Sequence, residues 1–112
     1  MSRRNASSLA HAAPVFAALG DETRLALVRR LGESGPLSTA RLTDETRVTR
    51  QAVTKHLEVL ERAGLVQAER QGRERLWQVN PERLHEARRQ LDLLSRQWDD
   101  ALDRLSAFVQ KH

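Results

Sequence analysis

Apolar residues recur at helical spacing through the first 63 positions, give way to short runs of β-formers, and return to helical spacing towards the C-terminus. "HAAPVFAALG" predicts a short helix ending at Gly20. In "DETRLALVRRLGESG", Asp21 is an N-cap, Leu25, Leu27, Val28 and Leu31 form the apolar stripe, and Gly32 is the stop. Pro36 ends the connection, and "LSTARLTDET" offers Ser38 as the cap of another short helix with Leu42 pointing inward. Thr49 caps a fourth helix. At about 100° per residue, Val53, Leu57 and Leu60 share one face of it, with Ala52, His56, Val59 and Ala63 beside them. Gln51, Lys55, Glu58 and Arg62 lie opposite, and Gly64 stands where a left-handed residue closes a helix.

Beyond Gly64 the period changes. "LVQAERQ" and "RLWQVN" read as two short strands, with "GRE" as the hairpin loop between them. Asn80 then caps a last helix with Pro81 at its first position. Residues 81–109 contain no breaker, so this helix is roughly 43 Å long. The predicted order is four helices, a hairpin and a long helix: mainly α with a small β-hairpin.

Composition narrows the function. A chain of 112 residues fits one domain with a modest core. With no cysteine, disulfides, thiolate metal sites and thiol redox sensing are excluded. No apolar run approaches the roughly 18 to 20 residues of a membrane span. "MSRRNASSLAHAAP" has two arginines but no long apolar run, so residues 1–8 read as a short mobile arm and not a signal peptide, ahead of a domain over residues 9–112. A cytoplasmic protein is expected. The formal net charge of +4 matters less than its placement: residues 81–112 balance six basic against six acidic side chains, so the excess lies in the first 80 residues.

The helix capped by Thr49 is basic and hydrogen-bonding in its first turns and carries Glu58 and Glu61 later. A short helix, a tight turn and a second helix with Thr49, Arg50, Gln51, Thr54 and Lys55 at its start form a helix-turn-helix pattern, in which the second helix enters the major groove N-terminus first. Arg pairs with guanine, Gln with adenine, and Thr with a methyl group or phosphate. The hairpin adds Arg70, Arg73 and Arg75 around Gly72, suited to phosphates of the neighbouring backbone. Taken alone, each charged face is as well explained by solvation; helix order, polar first turns and basic hairpin together favour DNA.

The segments "FAALGDETRLALVRRL", "TRQAVTKHLEVLERAGLV" and "RQGRERLWQVNPERL" make the chain resemble the ArsR/SmtB family of winged-helix bacterial transcriptional regulators over residues 12 to 109. The resemblance implies a winged helix-turn-helix fold and a homodimer that binds a partly palindromic double-stranded DNA operator, usually as a repressor. Carried over by position, the recognition helix is residues 49–63 and the wing residues 69–76.

Many members of that family sense metals, through cysteines in the helix before the recognition helix or through Asp and His on the last helix. Here "LSTARLTDET" has no thiol, and eleven residues beyond His85 stands Arg96. Glu82, His85 and Glu86 could in principle hold zinc weakly, but a first-row metal site needs about three or four ligands converging in space, His85 reads more simply as a solvated surface residue, and His112 sits at the chain end. No metal or cofactor is expected. His56 reads as packed within the domain and is left off the DNA-contact set. The ending "LDLLSRQWDDALDRLSAFV" looks like a metal-free subgroup whose members are often encoded beside a START-like ligand-binding protein.

The last helix also carries a seven-residue repeat. Leu84, Leu91, Trp98 and Leu105 occupy one register and Ala87, Leu94, Ala101 and Phe108 the other. The helix is longer than its domain requires, so a dimer interface is expected along Leu84, Leu91, Leu94, Trp98, Ala101, Leu105 and Phe108, with further packing on the first helix. The alternatives are a helical protein-protein interaction module without DNA binding and a metal-responsive repressor. An enzyme is not expected, since no nucleophile–base pair or phosphate loop is visible.

Overall fold

Side-chain caps start three of the helices. The computed structural model describes residues 3–111. Helix α1 spans Arg3–Leu19 and α2 Glu22–Ser34; the Asp21 carboxylate accepts from Arg24 N–H at 3.0 Å. Ser38 caps α3 (Thr39–Asp44) through Arg41 N–H, and Thr49 caps α4 (Arg50–Arg62) through Ala52 N–H, both at 3.1 Å. At the end of α4, Gly64 takes φ 79 and the Leu65 N–H reaches back to the Leu60 carbonyl at 3.0 Å, a Schellman closure. The chain then forms β2 (Val66–Gln71), β3 (Glu74–Val79) and α5 (Pro81–Lys111).

Four expectations are corrected. The helix expected from His11 begins at Arg3, so α1 takes in most of the stretch read as an arm; Met1 and Ser2 lie outside the described residues. No glycine or proline precedes Pro14, and burial of Ala12, Val15 and Ala18 on the core carries the helix past that proline. Second, α2 runs through Gly32 to Ser34 and closes on Gly35, whose φ is 82. Glycine in an exposed helix interior costs only about 1 kcal/mol, whereas positive φ strongly favours it. Third, Leu25 is 53% exposed, and Leu27, Val28 and Leu31 alone face the core from α2. Fourth, the hairpin loop is Gly72–Arg73 without Glu74: Gln71 pairs with Glu74, and Gly72 takes φ 61, the pattern of a two-residue turn with glycine first.

The hairpin is also part of a larger sheet. A two-residue strand β1 (Leu37–Ser38) pairs antiparallel with β3, giving the order β1-β3-β2. Trp77 on the central strand is completely buried and faces Leu37 on one side and Ala68 on the other. Around it the core gathers Val15, Leu27, Leu31, Leu42, Val53, Leu57, Leu60 and Leu65.

One helix leaves this core. Ala87 and Gln90 are the last buried positions of α5, after which residues 91–110 are exposed except half-buried Ala101. The radius of gyration is 18.4 Å, against about 13 Å for a compact domain of this length. No helix among the described residues is long and apolar enough to cross a membrane.

Candidate nucleic-acid interface

Helix α4 is two-sided. Val53, Leu57 and Leu60 are fully buried, which fixes the helix in rotation about its axis. Gln51 and Lys55 consequently project into solvent from the opposite side, Arg50 is exposed at the first position of the helix, and no side-chain partner holds the three among the described residues. The two threonines are partly committed. Thr49 Oγ1 is the cap acceptor for Ala52 N–H, and Thr54 Oγ1 donates to the Arg50 carbonyl at 2.9 Å. Thr54 therefore offers outward its methyl group and oxygen lone pairs but not its proton.

The helix is also tied from behind. His56 Nδ1 lies 3.4 Å from the Arg24 guanidinium and 3.8 Å from the Asp21 carboxylate, while Arg24 Nε donates to the Ala18 carbonyl at 2.6 Å. One cluster thereby joins the end of α1, the start of α2 and the middle of α4. Hydrogen bonding from the Arg24 backbone N–H, with smaller help from the His56 and Arg24 charges, holds the Asp21 carboxyl below the usual range. His56 is half-buried in these internal contacts, as expected. A second tie fixes the turn before α4: Arg30 donates to both oxygens of Glu45 at 2.6 and 3.1 Å, and Arg41 adds a third bond at 3.2 Å. Those guanidiniums, Arg30 first, lower the Glu45 carboxyl.

Sequence reasoning passed over Arg47. It lies in the turn between α3 and α4, exposed and close in sequence to Arg50. Its signal was its place in the turn, where a side chain can lie beside the backbone strand that the following helix crosses.

The three wing arginines are not equivalent. Arg70 and Arg73 are exposed. Arg75 is folded back: its guanidinium carbon sits 4.4 Å from the centroid of the Trp77 ring, and a terminal nitrogen lies 3.8 Å from Glu61 on the last turn of α4. The expectation that all three reach outward together is thus corrected for Arg75.

The expected dimer seam divides in the same way. Leu84 packs on the core of its own domain, and Ala87 is buried there, because the first turns of α5 lie over the corner after α4. Arg83 fixes that corner: a side chain at Gly64 would meet its guanidinium at 2.9 Å. Further along, Leu91, Leu94, Leu105 and Phe108 are exposed and Trp98 is 63% exposed, while α1 packs alongside α5 as expected. Leu102 and Val109 extend this open stripe. No three potential metal-ligating side chains converge among the described residues; His85 is exposed, and His112 lies outside them.

Residues 19–67 match the helix-turn-helix domain family. The chain is 42% identical over 85 residues to the HTH-type transcriptional regulator Rv2034 of Mycobacterium tuberculosis, covering 76% of each chain. In structure it is similar to an ArsR-like transcriptional regulator from Rhodococcus sp. RHA1, with TM-score 0.76, 34% identity, and coverage of 91% of this chain and 95% of that one. It is also similar to a homodimeric winged helix-turn-helix DNA-binding domain from Mycobacterium bovis, described as a possible ArsR-family regulator. That match has TM-score 0.66, 25% identity and 93% coverage of both chains.

Proposed function

Because the chain belongs to the ArsR-like winged helix-turn-helix transcriptional regulators, we propose that it acts in the cytoplasm as a homodimeric repressor of genes behind a partly palindromic operator. The two-sided character of α4 carries this reading: a fully buried Val53–Leu57–Leu60 face sets Gln51 and Lys55 outward on the opposite side, and Arg50 stands exposed at the helix's first position. In this mechanism Arg50 and Gln51 read guanine and adenine edges in the major groove. Thr54 lends its methyl group to a thymine. Lys55, Arg47, Arg70 and Arg73 meet phosphates, and Thr49 acts mainly by holding the first turn of α4 in shape.

The open stripe on α5 supports a two-fold dimer. Residues Leu91, Leu94, Trp98, Leu105 and Phe108 of two chains would cover one another, setting two recognition helices about one helical turn of DNA apart. The homodimeric Mycobacterium bovis relative supports the same arrangement. With no cysteine and an isolated His85, zinc or arsenite is not expected to release the DNA.

Footprinting on the DNA upstream of the protein's own coding region, with sedimentation at the same concentrations, tests the proposal. The expected result is one protected site with two related halves, occupied by a dimer. Equal affinity for that DNA and for random duplex would sink it.

A further inference from the structure

The end of the hairpin that carries Arg70 and Arg73 stands clear in solvent: residues 69–74 are all exposed. The outermost point at which the hairpin grips the domain is Arg75. Its guanidinium lies over the ring of Trp77, a residue that is itself fully buried, and faces Glu61 on the last turn of α4. A cation is favoured at that helix end by the helix dipole as well as by Glu61. The register adds a reason for the arrangement. Arg70 and Arg75 are directly opposed across the two strands, so their side chains share one face and like charges would repel. Turning Arg75 onto Trp77 and Glu61 relieves that repulsion and leaves Arg70 outward.

From this geometry we infer that Arg75 is a positioning residue for DNA binding: with Glu61 and Trp77 it locks the wing to the recognition helix, so that Arg73 and the α4 side chains reach the same stretch of DNA together. The inference rests on the reading of Arg73 as a phosphate contact. It assigns Glu61, an acidic residue on a DNA-binding protein, a role that favours binding. Electrostatics alone gives the opposite sign, because an acid near DNA repels phosphates and its removal should tighten the complex.

The test is a titration of operator and random duplex, at several salt concentrations, with the full-length protein and the variants Arg73→Ala, Arg75→Ala, Glu61→Gln and Arg73→Ala/Arg75→Ala. Thermal melting checks that each is folded. Arg73→Ala should lower the salt slope by about one unit. Glu61→Gln and Arg75→Ala should each weaken operator binding about five- to tenfold, on the order of 1 kcal/mol. In the Arg75→Ala background, Arg73→Ala should cost much less than it does alone, because an unlocked wing no longer holds Arg73 on its phosphate. Tighter binding by Glu61→Gln would overturn the inference, and so would independent, multiplying losses from Arg73→Ala and Arg75→Ala. The second pattern, with a further loss of about one unit of slope from Arg75→Ala, would show that Arg75 itself swings onto a phosphate. A silent Arg73→Ala would remove the wing reading and this inference with it. Glu61→Gln leaves the Arg75–Trp77 stacking in place and so keeps the test available if Arg75→Ala does not fold.

Discussion

The indole N–H of Trp77 donates to the hydroxyl of Thr39 at 2.9 Å, across 38 positions of sequence. Thr39 is the first residue of α3 and Trp77 lies mid-way along the central strand, so this bond pins the first helix of the helix-turn-helix to the sheet that carries the wing.

Thr39→Val keeps the side-chain shape and removes the acceptor. The buried indole N–H is then unsatisfied, and the domain should lose about 1–3 kcal/mol in stability. Thr39→Ser should lose much less. Chemical denaturation of the two variants beside the parent checks this, and equal stability of Thr39→Val and the parent would mean that the bond contributes nothing net.

Arg50→Ala and Gln51→Ala should each cost about 1–3 kcal/mol on the operator and little on random duplex. Neither side chain supports the fold, since both are exposed and without internal partners among the described residues. Unchanged melting with lowered operator affinity is the expected pair of results. Wild-type affinity in both variants would remove the first turn of α4 from base recognition.

Trp98→Asp places a charge on the open stripe of α5, on both chains of a dimer at once. Buried and unpaired, such carboxylates are strongly unfavourable, so the dimer should dissociate. Trp98 is remote from the core of its own chain, so the monomer should stay folded. Operator binding should collapse and non-specific binding fall less. Sedimentation and titration of the same sample decide it; a variant that remains dimeric would put the interface elsewhere.

Acid should loosen the turn before α4. Arg30 and Arg41 hold the Glu45 carboxyl below its ordinary value near 4.5. A folded-state value below the unfolded one means that the pair's contribution is complete above that ordinary value and is lost as the pH falls through the depressed one. The melting temperature of the parent should therefore drop more steeply below about pH 4.5 than that of Glu45→Gln. Parallel curves would show that the triad of charges adds nothing to stability.

Much of this fold is legible locally. Asp21, Ser38 and Thr49 announce their helices because a cap is a contact within three residues. The Val53–Leu57–Leu60 face is legible because helix period alone selects it. What escaped depends on distant partners. Strand β1 has two residues and exists only because β3, nearly forty positions on, offers an edge. Gly32 and Gly35 are the same residue type three apart; the choice between them is made by where the backbone must turn, not by composition. Arg75 was grouped with Arg73 by proximity to Gly72. Arg73 lies in the turn, whereas Arg75 lies inside β3 two residues before Trp77 and on its face, and Glu61 supplies the partner that no strand pattern could reveal. Leu84 shares a heptad register with Trp98, yet the corner at Gly64 draws only the start of α5 onto the domain.

The last buried position of α5 is Gln90, and residues 91–110 beyond it are exposed apart from half-buried Ala101. Substitutions in that stretch can accumulate without disturbing the reading head, whose residues lie between positions 39 and 79. In the proposed dimer, choice of mate and choice of DNA sequence are then written in separate parts of the gene. A duplicated copy could diverge at Leu94 or Trp98 alone, cease to pair with its parent, and still address the same operators.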